Sequence, residues 1–140
     1  MFDRVRDLGQ RLLRGGASTG SAGERAAEQY LAREKGLQVL ARNWRHGRDE
    51  LDLVCRDREL LIFVEVKTRS SLARVPGYFT VNQRKKKALM RAIRAYRAKI
   101  TPKPKAVRFD VVEVEWKDGG AGTIRHFENV PLFTKGFARS

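Results

Sequence analysis

The sequence predicts an α/β domain with an α-β-β-β-α-β core and one extra C-terminal strand. Three stretches lead to that reading. The run Leu51–Lys67, L-D-L-V-C-R-D-R-E-L-L-I-F-V-E-V-K, divides into two strands, Leu51–Cys55 and Leu60–Lys67. Both are rich in β-branched and aromatic residues, and the polar cluster Arg56–Glu59 between them suits a hairpin turn. After Asn82, a good N-cap, Leu89, Ile93 and Tyr96 recur at helical spacing up to about Lys99. From Val107 to Trp116 the apolar residues alternate, Val107, Phe109 and Val111 on one side and Val112, Val114 and Trp116 on the other.

The remaining elements follow in chain order. In residues 1–13, Phe2, Val5, Leu8 and Leu12 have helical spacing among Arg and Asp, which fits a short amphipathic helix or a basic arm. Gly15–Gly23 has the composition of a flexible linker. The chain therefore divides into an arm and linker over 1–20, a domain over 21–130 and a tail over 131–140. Ser21-Ala22-Gly23-Glu24 has the form of a capping box, predicting a helix to about Lys35 with Ala27, Tyr30, Leu31 and Glu34 on one face and Gly36 as its stop. Leu37, Val39 and Ala41 alternate in a first strand that ends near Asn43–Arg45, and His46–Asp49 is a turn. Ser70–Val81 lacks a period and contains Pro76-Gly77; its Tyr78 and Phe79 suit either stacking on a base or packing on the domain. Pro102-Lys103-Pro104 ends the second helix, Gly119-Gly120 makes a hairpin turn, and Ile124–Val130 is the last strand. Leu132, Phe133 and Phe137 in the tail suit covering a sheet edge or a second subunit, which leaves a homodimer open.

Composition bounds the function classes. Charged residues make up 33% of the 140, against roughly one-quarter in ordinary globular chains, and the formal net charge is +14. Between Val66 and Arg108 stand fourteen Lys and Arg and no Asp or Glu, so this stretch carries the whole excess. Such a stretch predicts an anionic partner, nucleic acid, with Arg69, Arg84, Lys85, Lys86, Lys87, Arg91 and Arg94 as phosphate-binding candidates. The lone Cys55 excludes an intrachain disulfide and a cysteine zinc site and fits a reducing compartment. No apolar run approaches a membrane span, and Met1–Leu13 is too charged for a signal-peptide core, so the expected location is cytoplasmic.

The central hairpin carries charges where a buried strand should have none. Strand side chains alternate faces, so Glu65 and Lys67 point the same way and a paired Asp52 can join them. Burying two carboxylates and an ammonium is costly unless they neutralise each other or hold a metal. An ion-paired trio at a solvated strand end is the simpler alternative to a D-(x12)-E-x-K site.

Several blocks carry a family likeness: G-E-R-A-A-E (23–28), A-R-N-W-R (41–45), E-L-D-L-V (50–54), F-V-E-V-K-T-R (63–69), V-N-Q-R-K (81–85) and R-F-D-V-V (108–112). In order and spacing they resemble the YraN-like family over roughly residues 20–130. That resemblance implies a restriction-endonuclease-like fold with a mixed central sheet and a PD-(D/E)xK nuclease site, similar to archaeal Holliday junction resolvases. It places Asp52, Glu65 and Lys67 on the active-site positions and Glu24 on the carboxylate of the first helix. Two departures stand out. Asp49-Glu50 replaces the family's usual Gly-Glu and adds a carboxylate, and Tyr78-Phe79-Thr80 stands where many relatives have Ala-Glu-Ala.

The residue types suit the chemistry. Phosphodiester hydrolysis needs a Lewis acid on the phosphate and a hydroxide in line with the leaving oxygen. Asp52 and Glu65, with the Val66 carbonyl as a third ligand, suit hard Mg²⁺ or Mn²⁺. Lys67 is placed to orient water or stabilise charge on the phosphate. His46 and His126, the only histidines, read as surface or turn residues. The expectation is a metal-dependent endonuclease on DNA, with branched and single-stranded forms among its candidate substrates. The alternatives are a catalytically silent nucleic-acid-binding domain of the same fold and an RNA-directed nuclease.

Overall fold

The computed structural model describes residues 19–71 and 82–132. The expected N-terminal arm, the Tyr78–Phe79 loop and the tail aromatics Phe133 and Phe137 lie outside the described residues. Helix α1 (Thr19–Arg33) precedes strands β1 (Gln38–His46), β2 (Asp49–Asp57) and β3 (Leu60–Arg69), followed by helix α2 (Gln83–Lys99), β4 (Ala106–Lys117) and β5 (Gly120–Phe127). The strands form one sheet in the order β1-β2-β3-β4-β5. β3 and β4 are parallel, with α2 in their connection, and every other neighbouring pair is antiparallel. This is the expected α-β-β-β-α-β core, a mixed central sheet with an extra C-terminal strand.

Helix α1 starts earlier than the expected cap. Ser21 falls inside its first turn, so Ser21 and Glu24 do not form a capping box at the helix start. Glycine composition reads as linker, yet Gly23 is held in the helix by packing: a Cβ there would sit 1.9 Å from Thr68 Oγ1. Tertiary contact of this kind overrides local propensity. The other end is as expected, with Gly36 at φ +66° and the Leu37 N–H donating to the Leu31 carbonyl at 3.0 Å. Ala27 and Leu31 are buried, Tyr30 is half-buried, and Glu34 is exposed rather than on the inner face. At α2 the Asn82 side chain accepts from the Lys85 N–H at 2.9 Å, the expected cap.

Each face of the sheet is covered by one helix. On one side Ala27 and Leu31 of α1 pack with Leu53, Cys55, Ile62, Val64, Val112 and Val114. On the other, Leu89, Ala92, Ile93 and Tyr96 of α2 pack with Val54, Leu61, Phe63, Phe109 and Val111. Burial on both faces explains why β3 reads as a nearly continuous apolar run. Among the described residues, no helix is long and apolar enough to cross a membrane.

The last strand begins four residues earlier than expected. Asp118 and Gly119 both have positive φ, 50° and 75°, and form the two-residue turn themselves, so Gly120 already belongs to β5. The strand ends at Phe127, after which the Asn129 N–H donates to Asp110 and the Val130 N–H to the Phe109 carbonyl. His126 is not a surface residue. Its side chain is 5% exposed, with Nε2 2.8 Å from Asp110 Oδ2 and Nδ1 3.1 Å from the Tyr30 hydroxyl. Asp110 is fully buried and also accepts two 2.8 Å bonds from Arg108. A buried carboxylate requires such partners, and His126 is one of them. The network ties α1, β4 and β5 together. His46 is exposed, as expected, and stacks on Trp44.

Candidate active site

The hairpin opens into a fork. β2 and β3 pair from Asp57↔Leu60 to Leu53↔Val64 and no further. β3 nevertheless continues beside β4 to Arg69↔Glu115, and β2 beside β1 to Asp49↔His46. In the gap, Asp52 Oδ2 accepts the Val66 N–H at 2.9 Å, standing in for a main-chain partner. The N–H and C=O of one strand residue point toward the same neighbour, so the Val66 carbonyl also faces the fork.

Glu65, 5% exposed, lies one residue before Val66. Its Oε1 is 3.7 Å from Lys67 Nζ, the neighbour two positions along the same strand face. Lys85 Nζ reaches the same oxygen from α2 at 3.4 Å. The contact from Lys85 to Glu65 was not legible in the sequence, where the lysine reads as part of a solvated basic face.

Glu24 joins from the other helix. Gly23 lets α1 settle onto β3 at Thr68, which brings the next residue to the fork. There the Glu24 carboxylate is hydrogen-bonded to the Asn43 side chain. Asn43 stands in β1 between the pairs Arg42↔Leu53 and Trp44↔Leu51, beside Asp52, with φ +46°. Asparagine is among the few residue types that adopt this backbone readily. In sequence, the one signal for Asn43 is an asparagine inside an otherwise apolar and basic strand block.

The electrostatics register this crowding. Burial, reinforced by Glu65, Glu24 and Glu50, pushes the Asp52 carboxyl up to about 8, against the opposing Val66 N–H bond. Burial also raises Glu24, with Glu50 and Glu65 adding to it and the Asn43 bond opposing. Such a set prefers a shared proton or a cation to full ionisation. Among the described residues, no three Asp, Glu, His or Cys side chains gather closely enough to hold a metal by themselves. A hard ion held here would rely on fewer than three such side chains, with a backbone carbonyl and the waters that Mg²⁺ usually retains completing its shell.

The expected phosphate-binding residues are in different states, and among the described residues of α2 only Lys85 reaches the fork. Arg69 Nε lies 3.5 Å from buried Glu113, which also pairs with Arg125 at 2.8 Å. Across the sheet Lys67, Glu113 and Arg125 occupy matching register positions, so one buried carboxylate organises basic groups beside Lys67. Arg91 is locked to Asp49 by two bonds of 3.0 and 2.9 Å, which gives the departure at Asp49 a structural partner. Arg84, Lys87 and Arg94 are exposed on α2, and Lys86 is half-buried.

A mixed-sheet α/β domain with a carboxylate-and-lysine fork is the class these features define. A family model described as "Uncharacterised protein family UPF0102" matches residues 23–114, a span that contains Glu24, Asp52, Glu65 and Lys67. A UPF0102 protein of Beutenbergia cavernae is 44% identical over 111 residues, covering 79% of this chain and 93% of that one. Another, from Chlorobium phaeobacteroides, is 42% identical over 110 residues, covering 78% and 86%. The chain belongs to the UPF0102 family, the YraN-like family that its sequence blocks resemble. Among solved structures, SfsA of Pyrococcus furiosus in complex with Ca²⁺ is similar at 19% identity and a TM-score of 0.37; the match covers 79% of this chain and 62% of that one.

Proposed function

We propose that this protein is a metal-dependent endonuclease that hydrolyses DNA phosphodiester bonds at the β2–β3 fork. The observation that carries this reading is Asp52 at the point where two strands part, held only by the Val66 N–H and crowded by buried Glu65, which with burial pushes its carboxyl up. A merely structural carboxylate is usually paired with a cation, as Asp49 is with Arg91. Asp52 instead has one backbone N–H and three neighbouring carboxylates that act against its ionisation.

In this reading Asp52, Glu65 and the Val66 carbonyl hold Mg²⁺ or Mn²⁺. When bound, such an ion supplies Lewis-acid stabilisation of the phosphate and activates water. Lys67, on the Glu65 side of the fork, orients the attacking water or donates to the phosphate oxygen on which charge grows. Lys85 shares Glu65 with Lys67 and is free to turn toward a phosphate once that carboxylate takes a cation. Glu24, oriented by Asn43, accepts a hydrogen bond from the water that forms the new P–O bond as the in-line P–O bond breaks. The basic groups of α2 and of the β3–β5 end hold the remaining phosphates.

The two lysines at Glu65 also support a second reading, a silent nucleic-acid-binding domain in which the charges are simply ion-paired. Incubation with linear, branched and single-stranded DNA, with and without Mn²⁺, separates the two. The nuclease reading expects Mn²⁺-dependent products that vanish in Glu65→Gln. Binding to these substrates with no divalent-dependent product from any of them would favour the silent domain.

A further inference from the structure

A second basic site lies away from the fork, at the start of α2. Arg48, Asp49, Arg84, Lys87, Ala88 and Arg91 line a cavity of about 270 Å³. Its helical members fall at i, i+3, i+4 and i+7 and so share one helix face. Ala88, the small residue among them, leaves the room. The fourth wall is the β1–β2 turn, where Gly47 at φ +61° precedes Arg48.

The charges in this cavity do not cancel. Asp49 is the one acid of the lining, and both its oxygens are taken by Arg91 at 3.0 and 2.9 Å. Arg48, Arg84 and Lys87 are in no salt bridge among the described residues. Three cations thus converge on one concavity whose back wall is a neutralised, hydrogen-bonded pair. Mutual repulsion of three such groups is relieved by a compact anion with several acceptor oxygens, which is the chemistry of a phosphate.

The geometry points to a phosphate-binding pocket formed by Arg48, Arg84 and Lys87, with Asp49 holding Arg91 as its wall, that grips a non-reacting backbone phosphate of the nucleic-acid strand. This inference rests on the proposed function for the identity of the strand. Lys85 and Arg84 are consecutive on α2, so their side chains point about 100° apart on a helix roughly 10–12 Å across. Lys85 reaches the fork at Glu65 while Arg84 reaches the pocket. One helix therefore measures the separation between the reacting phosphate and a gripped neighbour, and the pocket sets the register of the strand in the fork.

Inorganic phosphate and a single-stranded oligonucleotide are the two probes, both used with EDTA so that no turnover intervenes. Titrated phosphate is expected to shift the backbone amide resonances of Arg48 and Ala88 in a saturating manner, in the wild type and in Glu65→Gln alike. Arg84→Gln/Lys87→Gln should abolish those shifts. Oligonucleotide binding should then weaken about tenfold and the log–log salt slope should fall by about 0.7–0.9, one phosphate's share. Arg25→Gln/Arg33→Gln, an equal loss of charge on α1, should change affinity less than about twofold. Phosphate shifts spread evenly over the basic surface, or equal losses from the two double variants, would overturn the pocket. Because Glu65→Gln retains the pocket, failure of cleavage and failure of phosphate binding are read separately.

Discussion

Replacing Asp52 by Asn should stabilise the metal-free protein. The half-buried carboxyl sits beside Glu65, Glu24 and Glu50, and burial with that crowding pushes its affinity for a proton up to about 8 from the ordinary 3.8. A carboxyl raised in the folded state contributes stability fully below its unfolded value and loses it as pH climbs through the folded one. At pH 7 the unfolded chain has released this proton and the folded chain retains it. The gap from 3.8 to 7 then costs roughly 4 kcal/mol at 1.36 kcal/mol per unit. Asparagine keeps an oxygen for the Val66 N–H and never ionises, although burying its amide returns part of the gain. A net stabilisation of about 2–3 kcal/mol corresponds to a thermal midpoint higher by roughly 6–12 °C. Differential scanning calorimetry in EDTA from pH 4 to pH 8.5 measures it. The variant should melt slightly below the wild type at pH 4, where the burial cost of the amide outweighs the small electrostatic gain, rise above it by pH 7 and level off above 8. A variant that melts below the wild type at pH 7, or a difference independent of pH, would refute the electrostatic account of the fork.

Three further outcomes are expected. Glu24→Gln should melt like the wild type and cleave DNA poorly, since the amide occupies the same space without the charge. Asn43→Gly, which keeps the positive φ but removes the partner of Glu24, should lower cleavage similarly while shifting stability by no more than about 1 kcal/mol; full activity in both would return Glu24 and Asn43 to structural roles. Asp110→Asn should cost about 3–5 kcal/mol in denaturant unfolding by stranding Arg108 and His126. Burial alone would raise Asp110, but His126, Arg108 and the Asn129 N–H together hold it below the usual range. Its contribution is therefore present above about pH 4 and lost on further acidification, and an Asn variant no less stable than wild type at pH 7 would contradict that network.

Much of the fork was legible because strand phase is a strict rule. Glu65 and Lys67 differ by two positions, so they share a face whatever the fold around them, and β2–β3 pairing up to Leu53↔Val64 leaves Asp52 next to Val66. The cap at Asn82 and the stop at Gly36 were legible for the same reason, being local geometry with its own residue code. What escaped depends on contacts distant in sequence. Gly23 looks like linker until Thr68 is beneath it, and Glu24 looks like half of a capping box until Asn43 is beside it. His126 reads as a surface or turn residue because nothing near it in sequence needs a partner; Asp110, sixteen residues earlier, does. Arg91 likewise reads as one more cation on a basic helix, although Asp49 at the start of β2 engages it twice.

The central claim is that Asp52, Glu65 and Lys67 perform chemistry rather than hold nucleic acid. Single-turnover cleavage with Mn²⁺, and oligonucleotide affinity in EDTA, should be measured on the same preparations of wild type, Asp52→Asn, Glu65→Gln and Lys67→Met. The account predicts cleavage slower by about 100-fold or more in each variant, with affinity within a few-fold of wild type. Undiminished cleavage in the two carboxylate variants, or losses of rate that merely track losses of affinity, would contradict it.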